Sequence, residues 1–376
     1  MAFSVLRILL GLTLGLAAIA SSAQGAVAQA PQAAPPQALA PQALSLGLIA
    51  GEISSSETVL ASEMAELFSG GPPLRMLPML GDSGERNLAL LLTEPHIDAA
   101  FVSTDALAEA GAREFGGSLA AKVELVARLG PQEIHVVARQ DIGSLADLAG
   151  KEVNFGPEGG SSAVTAERLF KALDIKVEPL GLEARTAMER LKRGAIAALV
   201  VVGGKPAPLI SDIPAGLGIH LLPVEFGAGV TDAYLPTSFD HDDYPNLIEA
   251  EVSVPTLATG MLLLAARGKD EPGYDPRVAL FVETLFSHFG ALLSPDRHPK
   301  WREINLAASL PGYARNATAI AWLAKRPGGA VTPVAAGPVR THVEAGAGGP
   351  ASAAMSRDQR EALFKEFSQW QRAKGH

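Results

Sequence analysis

Gly81-Asp82-Ser83-Gly84 sets a serine hydroxyl between two glycines and beside a carboxylate, a combination found around nucleophilic serines. Such a hydroxyl attacks a carbonyl only when a histidine takes its proton and a second carboxylate orients that histidine. All eight histidines, at positions 96, 135, 220, 241, 288, 298, 342 and 376, follow Ser83, which excludes the histidine-aspartate-serine order of one large class of serine protease. There is also no cysteine, whereas secreted proteases of that class usually carry disulfides. A secreted serine hydrolase using Ser83 or another serine is kept as a second reading. The first reading is a polar turn, which Gly, Asp and Ser favour. The other concentration of reactive types, "FDHDDY" at 239–244, reads as a solvated acidic turn, because adjacent residues rarely converge on one ion. Tyr244 and Tyr234 are expected to pack with their hydroxyls at the surface, and Lys205 and Arg86 to be solvated. No catalytic residue, metal or cofactor is expected.

The ends of the chain differ from its middle. Within residues 1–28 the only charge is Arg7, Ile8 to Ala20 is largely apolar, and Ala26-Val27-Ala28 offers the small residues that precede a cleavage site. A cleaved secretory signal and a periplasmic mature protein are expected. Residues 29–43 are an Ala, Pro and Gln-rich linker. Residues 326–355 read as a second flexible linker, and residues 356–376 as an amphipathic helix opening on the capping box Ser356-Arg357-Asp358-Gln359. The net charge of −9 becomes −10 once Arg7 is removed. An acidic chain without basic runs is not expected to bind nucleic acid or an anionic membrane surface.

Between these ends short apolar runs alternate with helical patterns. Strands are expected at 44–49, 74–80, 97–103, 122–129, 133–139, 152–155, 175–180, 196–202 and 219–224, and helices at 57–68, 85–92, 162–173 and 184–193. Alternation of this kind builds βαβ units and a mostly parallel sheet. The stretches 87–102 and 187–202 share a helix ending in leucine, a short break and an Ile-x-Ala strand. Two lobes on one plan, with a cleft between them, follow from that repetition.

The stretch "IHVVARQDIGSLADLAGKEVNFGPEGGSSAVTAERLFKAL" at 134–173 resembles the central region of the TAXI-type solute receptors of TRAP transporters. That family carries a valine-rich strand, a Leu-x-x-Leu-x-Gly-Lys step and a Gly-Pro-x-Gly-Ser-Gly-Thr turn opening a helix with Thr-Ala. Here the turn is Gly156-Pro157-Glu158-Gly159-Gly160-Ser161-Ser162, with Thr165-Ala166 in register. The similarity continues through "LKRGAIAALVVVGGKP" (191–206), "YPNL" (244–247), "VPTLATGMLLLAAR" (254–267) and "LPGYARNA" (310–317). The resemblance implies a type II periplasmic binding protein fold of class α/β: two αβα lobes, a hinge and a central ligand cleft. Lobe 1 would comprise 44–138 plus 258–325 and lobe 2 139–257, with hinges at 135–139 and 256–260. It further implies a monomer that captures a small polar or anionic organic solute, of the amino acid or carboxylate class, and delivers it to TRAP membrane subunits. A sensor in which the fold no longer serves transport is a third reading.

In open α/β sheets ligands gather at the carboxyl ends of strands, where helix N-termini present unpaired N–H groups. The loops in those places contain Ser54, Ser55, Ser83, Asn87, Ser103, Thr104, Gly160, Ser161, Ser162, Gly203 and Gly204, the expected ligand-binding residues. Serine and asparagine serve equally well as helix caps. One departure stands out: where the family has a Gly-Thr-Gly loop followed by two tyrosines, this chain has "AGEISSSETV" at 50–59, with Glu57 and Thr58 in the aromatic positions.

Overall fold

The computed structural model describes residues 44–69, 74–112, 119–225, 234–267 and 275–325. The signal segment, both linkers and the tail helix expected above lie outside the described residues. In chain order the elements are β1 (Leu44–Ile49), α1 (Ser56–Glu66), β2 (Leu74–Met79), α2 (Glu85–Thr93), β3 (Ala99–Ser103), α3 (Thr104–Ala112), α4 (Leu119–Lys122) and β4 (Val123–Arg139). Then follow β5 (Glu152–Asn154), α5 (Ser161–Ala172), β6 (Glu178–Leu180), α6 (Ala184–Lys192), β7 (Ala198–Gly203), α7 (Pro208–Ser211) and β8 (Ile219–Leu222). The last are β9 (Leu235–Asp240), β10 (Ser253–Ala266), α8 (Pro276–His288) and α9 (Ala317–Ala324).

One sheet runs β2-β1-β3-β10-β4-β7-β5-β6. Its two ends repeat a plan: β1 lies parallel between β2 and β3, and β5 lies parallel between β6 and β7. Helices cover both faces of each end. Leu60 and Met64 of α1 and Phe281, Val282 and Leu285 of α8 share one apolar cluster, while Leu88 and Leu91 of α2 and Leu107 of α3 share the opposite one. In the second half α5 contributes Ala166, Leu169 and Phe170 to one face, and α6 contributes Ala187, Met188 and Leu191 to the other. Parallel strands buried on both faces explain the unbroken apolar runs of β3 and β7. This is the type II periplasmic binding protein fold.

The halves are joined by two long antiparallel strands. β4 pairs with β10 over Val123 to Glu133, then with β7 over Glu133 to Ala138, so Glu133 faces both Ala258 and Gly203. β10 passes from β9 to β4 at Ala258. The handover on β4 therefore comes before residues 135–139, which lie wholly within the ladders to β7 and β8. The sequence pattern breaks 122–139 into two strands at Gly130-Pro131, yet the strand is continuous. Pro131 stands opposite Gly260 beside a register shift in β10, a place where a missing N–H donor is tolerated. Among the described residues no helix is long and apolar enough to cross a membrane.

Candidate functional site

The loops after β1 and β2 meet the turn before α5 and the end of β7. A cavity of about 30 Å³ lies between them, lined by Gly51 to Glu57, Asp82 and Ser83 from the first half and by Ser161, Ser162, Ala184 and Val201 to Gly203, among others, from the second. That volume admits one or two water molecules.

Hydrogen bonds close the cavity from both sides. Glu85 N–H donates to the Gly159 carbonyl at 2.8 Å, Ser161 N–H to the Asp82 carbonyl at 3.0 Å and Gly204 N–H to Ser56 Oγ at 2.7 Å. Ala184 N–H donates to Glu52 Oε2 at 3.1 Å, and Arg185 donates to Ser54 Oγ at the rim. A second seam joins α3 to α5: Asp105 accepts from Thr165 at 2.9 Å and from Thr259 of β10 at 3.1 Å, with Arg168 at 3.7 Å.

The residues expected to bind ligand divide into two sets. Ser54, Ser55, Ser83, Ser161, Ser162 and Gly203 line the cavity; Asn87, Ser103, Thr104, Gly160 and Gly204 do not. Asn87 is fully buried and its amide is committed: Oδ1 accepts from Asp82 N–H at 3.0 Å, and Nδ2 donates to the carbonyls of Ala50 at 2.6 Å and Phe101 at 2.9 Å. It ties three strand ends together. Asn87→Ala takes the acceptor from the buried Asp82 N–H and a donor each from the Ala50 and Phe101 carbonyls, and a loss of roughly 2–3 kcal/mol is expected in urea denaturation. Ser103 caps α3 by accepting from Ala106 N–H at 3.1 Å. Thr104 bonds Thr259 Oγ1 at 2.9 Å and accepts from Gly260 N–H at 3.1 Å, beside the crossing strands. Gly160 is the N-cap of α5 and donates to the Pro157 carbonyl at 3.0 Å. Ser55 caps α1, accepting from Thr58 N–H at 3.2 Å, and Ser162 Oγ accepts from Val202 N–H at 3.0 Å.

Ser83 Oγ donates to the Ala50 carbonyl at 3.3 Å. The hydrogen bonds of His135, His220, His241, His288 and His298 all go to other groups, so none of these five supplies the base a nucleophile needs. Ser83 and Ser54 hold left-handed backbone, with φ of 55° and 68°. Strain of this kind in non-glycine residues gathers at ligand clamps.

Three carboxyl groups, absent from the expected set, form the charged lining: Glu52, Glu57 and Asp82. Burial raises all three above the ordinary carboxylate range, and Glu52 is pushed up to about 7. The Ala184 N–H opposes the shift at Glu52, while Glu183 and Asp82 add to it. Below the unfolded value of 4.5 both states carry the proton. Between 4.5 and about 7 the folded chain keeps a proton that the unfolded chain has released, so stability falls as pH rises through that window. The melting temperature of the unliganded protein is expected to be higher at pH 5 than at pH 8. Glu52→Gln should remove a part worth at most about 3 kcal/mol.

Behind the cavity lies a second buried polar layer. Lys300, completely buried, donates to Glu133 Oε1 at 2.7 Å and Glu303 Oε2 at 2.8 Å, and Glu133 Oε2 accepts from Lys205 N–H at 2.9 Å. Tyr244 and Tyr234 are both buried, contrary to the expectation of surface hydroxyls. Tyr244 Oη lies 2.6 Å from His135 Nε2 and accepts from Ala207 N–H at 2.8 Å. His135 Nδ1 faces the Val201 carbonyl at 3.1 Å, so that nitrogen carries the hydrogen and the tyrosine donates to Nε2. Burial holds His135 neutral, its pKa lowered to about 3. A partner for its imidazole draws the phenol inside. Lys205 is paired rather than solvated, donating to Asp243 at 2.7 Å, and no metal-binding cluster occurs among the described residues.

A model of the NMT1-like family matches residues 82–266. The alkanesulfonate-binding protein SsuA from Xanthomonas axonopodis pv. citri, bound to MOPS, is 18% identical over 76% of this chain and 85% of its own, with a TM-score of 0.42. The Synechocystis PCC6803 CcmR regulatory domain in complex with 2-PG is 11% identical over 68% of this chain and 99% of its own, at 0.40. A TctC solute binding protein from Polaromonas is 14% identical over 69% and 85%, at 0.39. Similarities this remote assign neither ligand nor partner to this chain.

Proposed function

We propose that this chain is an extracytoplasmic solute receptor: two hinged lobes capture a small polar solute and present it to TRAP-type membrane subunits. The observation that carries the reading is a cavity at the carboxyl ends of parallel strands, closed by hydrogen bonds donated from opposite halves. The lobes are residues 44–133 plus 258–325 and residues 134–257, moving about Glu133 and Ala258, where β4 and β10 change partners. Export rests on the Arg7, apolar run and Ala-Val-Ala pattern of residues 1–28. Coupling to TRAP subunits rests on the sequence resemblance across 134–317.

Binding without turnover is the testable content. The mature chain is screened by thermal melting against amino acids, amines, carboxylates and sulfonates, and each solute is followed by NMR. A saturable rise in melting temperature with the solute unchanged is expected. Hydrolysis of a solute that stops in Ser83→Ala would contradict the receptor and favour the hydrolase.

A further inference from the structure

Four helices, α1, α2, α5 and α6, open on the cavity at their N-termini, and three of them already meet a carboxylate of the protein itself. Glu57 lies in the first turn of α1. Asp82 accepts from Gly84 N–H at 2.9 Å at the start of α2, and Glu52 accepts from Ala184 N–H, the first residue of α6, at 3.1 Å. At those three the partial positive charge that would attract an anionic solute is already satisfied, and at α5 the Ser161 N–H is taken by the Asp82 carbonyl at 3.0 Å.

Glu57 adds an independent observation. It is 2% exposed, and its Oε1 has no hydrogen-bond partner among the described residues, while Oε2 accepts from Ser56 Oγ at 3.1 Å. Both carboxylate oxygens come within 3.7 and 3.8 Å of where a Cβ on Gly203 would stand, so the group faces β7 across the cavity. No lysine or arginine is among the lining residues. A buried carboxylate oxygen without a donor is costly, and an ammonium group supplies three donors and the opposite charge. An anion in the same place would meet three carboxyl groups and no cation.

We propose that the bound solute carries a protonated primary amine, whose ammonium group sits between Glu57, Glu52 and Asp82. The inference rests on the receptor reading and names the charge of its solute, in place of the anionic group expected from helix N-termini alone.

The test uses ethanolamine, 1,4-diaminobutane and the carboxylate glycolate as probes of the mature chain at pH 8 and constant ionic strength, with melting temperature as the readout. An amine is expected to raise the melting temperature saturably and glycolate to leave it unchanged. Glu57→Gln keeps the shape and removes the charge; it should weaken the amine response about tenfold or more, with the unliganded chain melting at or above the wild-type temperature. Glu52→Gln provides a second variant with the same expected weakening. A response to glycolate alone, or an amine response unchanged in both variants, overturns the inference and leaves the receptor standing, since a solute is still bound. Silence toward all three probes also overturns the amine inference, and the wider solute screen then decides the receptor reading separately.

Discussion

Lys300→Met is expected to destabilise the protein by about 3–5 kcal/mol, the range for removing one partner of a buried ion pair. The lysine is completely buried, and its ammonium group is 2.7 Å from Glu133, the residue at which β4 leaves β10 for β7. Without it Glu133 keeps the Lys205 N–H but loses its cation in a site closed to water. Adding Glu133→Gln to Lys300→Met should recover most of the loss, because what destabilises is the uncompensated carboxylate and not the missing attraction. Urea denaturation of wild type, single variants and double variant gives the cycle. A loss below about 1 kcal/mol in Lys300→Met, typical of exposed pairs, would show that the pair does not hold the crossing strands.

Gly84→Val is expected to wedge the cleft open and to weaken solute binding about 100-fold or more, the factor that follows when the closed form falls to about 1% of molecules. A Cβ at position 84 would stand 2.0 Å from the Gly159 carbonyl oxygen and 2.7 Å from the Gly160 backbone, which belong to the facing half. Backbone cannot rotate aside as a side chain can, so the halves must separate. The local conformation, φ −111° and ψ −154°, is one that a residue with a Cβ adopts. Each half should therefore fold normally. Small-angle scattering should give a larger radius of gyration for this variant than for wild type in the presence of whichever solute raised the melting temperature. Affinity retained within about threefold of wild type would mean that closure at this seam is not required for binding.

The βα repeats could be read from the chain because their signals are local. The expected strand at 44–49 and helix starts at Glu85 and Ala184 coincide with the structure, since apolar runs and caps act within a few residues. β10 is visible in sequence only as a stretch shared with a family: its apolar run, interrupted by Thr259-Gly260, has no alternation to mark it as a strand that pairs with β3, β4 and β9. Glu133, Lys300 and the His135–Tyr244 pair give no signal in sequence, because the contacts that make their burial tolerable span 167 and 109 residues. At the site, the loops are legible in the sequence, and the cavity they form is lined by carboxyl groups as well as by the expected serines. Several of those serines also bond to the protein's own backbone. In sequence Glu57 stands out only as a departure from tyrosine, and its burial in the first turn of α1 depends on contacts that the local pattern does not show.

Closure of the two halves around a solute can be followed directly in this chain. It contains no cysteine, so Ser62→Cys on α1 and Glu189→Cys on α6, both exposed, accept spin labels without background. Their separation is measured by pulsed electron resonance in the unliganded chain and with the solute that raises its melting temperature. A long, broad distribution without solute is expected to shorten and narrow with it, and to show no such change when Gly84→Val is added. The same distribution with and without saturating solute would contradict closure.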